Sequence, residues 1–105
     1  MTIRMRLPDR RPCLTFQLEL AGLKYVCTVG RYQNGAIGEL FLNSCKPNSQ
    51  ADTDARDAAV ILSIAIQHGV DPQTIRHALS RDSHGRANGL LGAALDRILA
   101  MESPE

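Results

Sequence analysis

DARDAAVILSIAIQH, residues 54–68, with Gly69 directly after it, decides the fold. Between residues 58 and 66 only Ser63 is polar, so the stretch reads as a helix with almost no wet side. At about 100° per residue, Ala55, Ala58, Ala59, Leu62, Ala65 and Ile66 share one broad apolar face. Val60 and Ile64 sit nearly opposite, flanked by Arg56, Asp57, Gln67 and His68. A helix that is apolar nearly all round asks for cover from two directions. The chain offers both: a half with a period of two before it, and two shorter helical segments after it.

The period of two starts at Cys13. Leu14, Phe16, Leu18 and Leu20 alternate with Thr15, Gln17 and Glu19, the mark of a half-buried strand. Ala21-Gly22 supplies a tight turn, and Leu23, Tyr25, Cys27 and Val29 line one face of a second strand. A two-residue turn sets Leu20 against Leu23, Leu18 against Tyr25, Phe16 against Cys27 and Leu14 against Val29, so apolar meets apolar throughout. Asn34-Gly35 is the favoured pair of a type I′ hairpin turn. As a loop it sets Val29 against Leu40 and Cys27 against Leu42. A slip of one residue would turn both sets outward, and the two turns agree on one register. The expected fold is α+β: a three-stranded antiparallel β-meander packed on a central hydrophobic helix, followed by two shorter helices, in the order βββααα.

The same register assigns the outer sheet face. Thr15, Thr28 and Phe41 form one row, Gln17, Val26 and Asn43 another, and Tyr32 lies against Ile37. Val26, Tyr32, Ile37 and Phe41 together are more apolar than a solvated face needs, and apolar clusters mark contact surfaces. A second copy of the chain or a larger partner would cover them; the alternative is that the N-terminal arm folds over them. That arm, residues 1–12, is expected to be flexible and basic, with Arg4, Arg6, Arg10 and Arg11. It reads as a solvated segment or as a grip for phosphate or an acidic surface. Residues 13–101 form the single domain, and 102–105 a frayed tail.

Lys46, in the loop entering the central helix, invites a phosphate-binding reading, but the glycines of a P-loop are missing. Asp52 and Asp54 already occupy the positive end of the helix dipole, so capping is the better account. His68 falls in the last turn, and Gly69 is a natural left-handed C-cap. Asp71-Pro72 then opens a short helix carrying Ile75, Ala78 and Leu79. A last helix, over 89–101, buries Leu91, Ala94, Leu95 and Ile98.

At 105 residues the chain is one domain, able to bury roughly two-thirds of its unfolded surface. A net charge of +1 describes no strong field, so bulk electrostatics argue for neither nucleic acid nor membrane. No apolar run approaches the roughly 18 residues that span a bilayer, and residues 1–12 lack the apolar core of a secretory signal. Three cysteines, an odd number at wide spacing, suit a reducing cytoplasm rather than a disulfide framework. In the expected register Cys27 points inward and Cys13 and Cys45 outward, far apart. No CxxC or HxxxH spacing occurs, so neither a metal nor another cofactor is expected.

The one polar concentration is the loop of residues 81–88. Arg81, Asp82, Ser83, His84 and Arg86 surround Gly85. Consecutive loop residues cannot aim like a catalytic triad, which needs separate supports. Two arginines beside a glycine could hold a phosphate or carboxylate by bidentate contacts. The alternative is that Arg81, Asp82 and Arg86 tie the loop to the helices through salt bridges and backbone bonds.

GLKYVCTVGRYQNGAIGELFLNSCK, residues 22–46, followed by DTDARDAAVILSIAIQHGVDPQTIRHALSRDSHGRANGLLGAALDRI, residues 52–98, resembles the TSCPD domain. That module occurs at the C-terminus of adenosylcobalamin-dependent (class II) ribonucleotide reductases and as small stand-alone proteins. The resemblance covers nearly the whole chain and is nearest to the stand-alone kind, through the glycine-turn hairpins, the ARDAAV helix start, the QHG helix end and the RDSxGRA loop. The Thr-Ser-Cys-Pro-Asp motif that names the family is absent; Asn88-Gly89-Leu90-Leu91-Gly92 stands in its place. The resemblance implies a cytoplasmic, non-catalytic accessory or regulatory module tied to deoxyribonucleotide synthesis, with a class II ribonucleotide reductase as partner and self-association open to it. Arg81, Asp82, His84 and Arg86, with Arg56 on the wet strip of the central helix, are the candidate contact residues.

Overall fold

The computed structural model describes residues 3–102. It contains β1 (Cys13–Leu20), β2 (Leu23–Arg31), β3 (Ile37–Ser44), α1 (Gln50–Gln67), α2 (Pro72–Ala78) and α3 (Leu90–Glu102). The strands form one antiparallel sheet in the order β1-β2-β3. This is the expected α+β meander followed by three helices. Residues 103–105 of the expected tail, and Met1 and Thr2, lie outside the described residues.

Leu20 pairs with Leu23, Phe16 with Cys27, Val29 with Leu40 and Cys27 with Leu42, the register read from the apolar pattern. Ala21 and Gly22 both take positive φ, 53° and 79°, as a two-residue type I′ turn requires. The second hairpin differs. Its loop is one residue longer, because Gly35 N–H donates to the Tyr32 carbonyl and Tyr32 N–H to the Ala36 carbonyl. Only Gly35 needs positive φ there, at 89°. A bulge between Gly30 and Arg31 absorbs the extra residue, so Ile37 pairs with Arg31 rather than lying against Tyr32. Ile37 is thereby turned into the core, 5% exposed.

Tyr25, Cys27, Val29, Leu40 and Leu42 make the inner sheet face. Ala55, Ala59, Leu62 and Ile66 of α1 and Ala94, Leu95, Ile98 and Leu99 of α3 pack against them. Ser49 N-caps α1 by accepting from the Asp52 N–H, and Gly69 follows at φ 98°. Asp71 caps α2, with Pro72 at its start.

Two expectations fail on packing. Leu14, assigned to the core, is 46% exposed. The cover on the β1 side comes from α3, which reaches Phe16 but leaves the first turn of the strand open. The second is the extent of cover for α1: the sheet and α3 pack on it as expected, but its back is left open. α2 packs on α3 and buries no residue fully, so among the described residues α2 does not cover the back of α1. Val60, Ile61 and Ile64 stay exposed there.

The N-terminal segment runs along the end of the sheet. Met5 N–H donates to the Gln67 carbonyl, Arg4 Nε to Gln67 Oε1, and Arg11 Nε to Glu39 Oε2. The Tyr32 hydroxyl donates to the Met5 carbonyl. A Cβ built at Gly38 would come within 2.7 Å of Leu7 Cδ2, so the glycine is what lets the segment approach β3.

Candidate functional site

The loop of residues 81–88 is built by Asp82. Its Oδ1 accepts from the N–H groups of His84 (2.8 Å) and Arg86 (2.9 Å), while its own N–H donates to the Arg86 carbonyl. The bond from the Arg86 amide, with that from His84, holds the Asp82 carboxyl below its ordinary value. Gly85, at φ 80°, closes the turn by donating to the Asp82 carbonyl.

Arg81 faces the other way, into α3. Its Nη1 and Nη2 donate to the two carboxylate oxygens of Asp96 at 2.8 and 2.7 Å, and Nη1 also reaches the Gly85 carbonyl. Arg76 of α2 donates Nε to the same carboxylate at 2.6 Å. One aspartate therefore ties α2, the loop and α3 together through a bidentate pair and a second guanidinium. The Arg81 bond depresses the Asp96 carboxyl far below the usual carboxylate range; burial opposes it, and the Arg76 bond adds to it. Asp96 escaped the sequence reading because it is a lone acid on the wet side of a helix.

The depressed Asp96 value sets a pH dependence. Its folded pKa lies below the unfolded 3.8, so its contribution is full above that value and lost as pH falls toward the folded pKa. The melting temperature is expected to drop below about pH 4, and the Asp96→Asn variant, already without the ion pairs, should show a shallower drop. A thermal-melt series in acid buffers measures both.

The candidate residues thus divide. Arg81, Asp82, His84 and Arg86 share the loop, but the Arg81 guanidinium is engaged by Asp96 and the Gly85 carbonyl. Arg86 is the open group, its side chain 75% exposed and loosely paired with Asp82 at 3.4 Å. His84 is exposed beside it. Arg56 lies elsewhere, on α1, donating Nε to Asp52 Oδ2 at 3.0 Å. It borders a small cleft with Phe41, Leu42 and Val60.

Asp52 belongs to a seam that the sequence reading missed. Its other carboxylate oxygen accepts from Ser44 N–H at 2.8 Å. One helical side further on, Ser63 Oγ accepts from Leu40 N–H at 2.8 Å and lies within donating reach of the Leu40 and Ala59 carbonyls. At the helix end Gln67 Nε2 donates to the Gly38 carbonyl at 2.9 Å. Gly38, Leu40 and Ser44 point these backbone groups away from β2, on the free edge of the sheet. α1 therefore runs antiparallel to β3 and meets its open edge at Gly38, Leu40 and Ser44 with side chains. This explains why Asp52 and Gln67 are buried polar residues in a helix that is otherwise apolar.

Of the proposed outer-face patch, Val26 is half-buried and Phe41 is 48% exposed, whereas Ile37 faces the core and Tyr32 is bonded to the N-terminal segment. The structure does not bring the four together. Exposed Phe41 lines clefts instead with Val60 and Ile64. A groove of about 530 Å³ lies between α1 and the start of α3, lined by Tyr25, Ala51, Ala55, Ala58, Leu79 and Leu90. It is apolar, with Asp54 its one charged neighbour.

Cys27 is fully buried, which pushes its thiol up to about 12. Cys13 is level with Gly30, and Cys45 donates its N–H to the Lys24 carbonyl. Six strand residues, roughly 20 Å, separate those levels. Among the described residues no three His, Cys, Asp or Glu side chains converge as metal ligands, and no helix is long and apolar enough to cross a membrane.

No protein-family model and no solved structure matches the chain. Several curated proteins do. It is 36% identical over 83 residues to a vitamin B12-dependent ribonucleotide reductase of Rhodopirellula baltica, which covers 79% of this chain and 8% of that protein. Against the protein of the same name from Bradyrhizobium diazoefficiens the identity is 30% over 70 residues, 67% of this chain and 6% of that one. Against that of Streptantibioticus cattleyicolor it is 29% over 72 residues, 69% and 12%. Over most of its own length, the chain is similar to a small part of vitamin B12-dependent ribonucleotide reductases.

Proposed function

We propose that the chain is a non-catalytic accessory module of the TSCPD type, which works in deoxyribonucleotide synthesis by associating with a vitamin B12-dependent ribonucleotide reductase in the cytoplasm. The supporting observation is the lopsided similarity: 79% of this chain aligns with 8% of the Rhodopirellula baltica reductase. The aligned stretch corresponds to a small part of such an enzyme.

The side chains present do not fit the reductase chemistry itself. A radical mechanism on a ribonucleotide needs a reactive thiol beside the substrate and a redox pair of thiols. Cys27 sits in the core with its thiol held protonated, and Cys13 and Cys45 are too far apart to form a disulfide. The module's contribution is contact, and the exposed Arg86 and His84 of the loop are its candidate polar anchors.

The test is affinity capture with the tagged chain from a native lysate containing a B12-dependent reductase, read by mass spectrometry. Specific recovery of the reductase is the expected result. A reductase detectable in the lysate but absent from the eluate would count against the proposal.

A further inference from the structure

The two edges of the sheet are treated differently. Asp52, Ser63 and Gln67 close the β3 edge, as described above. The β1 edge is covered less: Arg97 of α3 lies over the Phe16 ring, 4.9 Å from its centroid. Leu20 and Leu23 flank a two-residue turn, so the even-numbered residues of β1 exchange hydrogen bonds with β2. Cys13, Thr15, Gln17 and Glu19 consequently send their N–H and C=O groups outward. Arg97 Nη1 approaches the Gln17 carbonyl at 3.5 Å, a long contact. Among the described residues these outward groups make no other hydrogen bond.

An edge of this kind is a template for another strand, and soluble proteins usually blunt it with lysine, proline, a bulge or an inward-pointing charge. β1, CLTFQLEL, has none of these, and its one charge, Glu19, points to the outer face. We propose that β1 pairs antiparallel with β1 of a second copy of the chain about a two-fold axis, joining the two meanders into one continuous sheet. The sequence of the strand argues for a second copy over an unrelated strand, because it complements itself. With the axis at Phe16, Leu14 faces Leu18 of the second copy, Thr15 faces Gln17, Cys13 faces Glu19, and Phe16 faces its own equivalent. Apolar meets apolar on the inner face, polar meets polar on the outer one, and no like charges oppose. Thr15 and Gln17 then exchange the bonds that each copy leaves open, and Leu14, exposed in one copy, gains cover. The interface is isologous and closes after two subunits.

Sedimentation velocity of the full chain, over a concentration series up to the solubility limit, tests this. The wild-type protein is expected to dimerise. Gln17→Pro removes an outward N–H and leaves the ladder to β2 intact, so it should yield a monomer with an unchanged far-ultraviolet spectrum. Leu14→Lys places an inward charge at the joint and should weaken dimerisation about tenfold or more; it decides the matter if Gln17→Pro fails to fold. Phe41→Glu, on the opposite side of the sheet, should leave the dimer unaffected. A wild-type chain that stays monomeric throughout, a dimer that survives Leu14→Lys, or one abolished by Phe41→Glu would overturn the proposal. This outcome is independent of reductase capture.

Discussion

Leu62→Ala is expected to destabilise the protein by about 2–5 kcal/mol, while Ile61→Ala, one residue earlier, changes stability by less than about 0.5 kcal/mol. Leu62 is 2% exposed, wedged between the inner sheet face and α3; Ile61 is 68% exposed on the uncovered back of the same helix. Composition does not separate them, since both are large aliphatic residues in one apolar run. Truncating Leu62 removes buried surface and opens a cavity that the neighbouring strands relax into only partly. Truncating Ile61 removes atoms already in water. Urea unfolding of both variants measures the contrast. Equal losses would mean that the back of α1 is covered after all.

The second large effect is at Ser63. Ser63→Val replaces the hydroxyl that accepts from Leu40 N–H with two methyl groups. That N–H has no other acceptor in reach, and an unsatisfied buried donor costs about 1–3 kcal/mol. Ser63→Thr retains an oxygen at the same place and should recover most of the loss. Because the defect unseals a strand edge, the valine variant is also expected to aggregate more readily on partial unfolding, as static light scattering during the melt would record. A fully stable Ser63→Val would remove the hydroxyl from the account of the seam.

Most of the fold could be read from the sequence because it rests on patterns with few competing solutions. The register of β1, β2 and β3 follows from alternating apolar residues, and a slip would have exposed a whole face. What escaped came from places where local pattern and tertiary packing part company. Asn34-Gly35 suggested a two-residue turn; the longer loop and the bulge at Gly30 bring Ile37 inside, a gain that the turn preference alone does not contain. The apolar wrap of α1 suggested cover on both sides. A short helix that settles on α3 instead leaves Val60, Ile61 and Ile64 bare.

The candidate site was readable as a cluster but not in its roles. Arg81, Asp82 and Arg86 are neighbours in sequence, so their proximity was never in doubt. The residue that ties Arg81 to α3, Asp96, is ten positions beyond Arg86 and shows only when α3 folds back. The seam of Asp52, Ser63 and Gln67 was hidden for the same reason. Each reads locally as a cap, a lone polar interruption or a wet strip; their common purpose exists only once β3 lies alongside.

That seam is the feature on which the rest depends, since it makes β3 the sealed edge and leaves β1 the open one. Amide hydrogen exchange on the folded wild-type protein, resolved at Leu40 and Ser44, tests it most directly. Both N–H groups should exchange as slowly as that of Cys27 inside the ladder. Exchange of Leu40 and Ser44 at the rate of a water-exposed strand edge would contradict the sealing of β3 by α1.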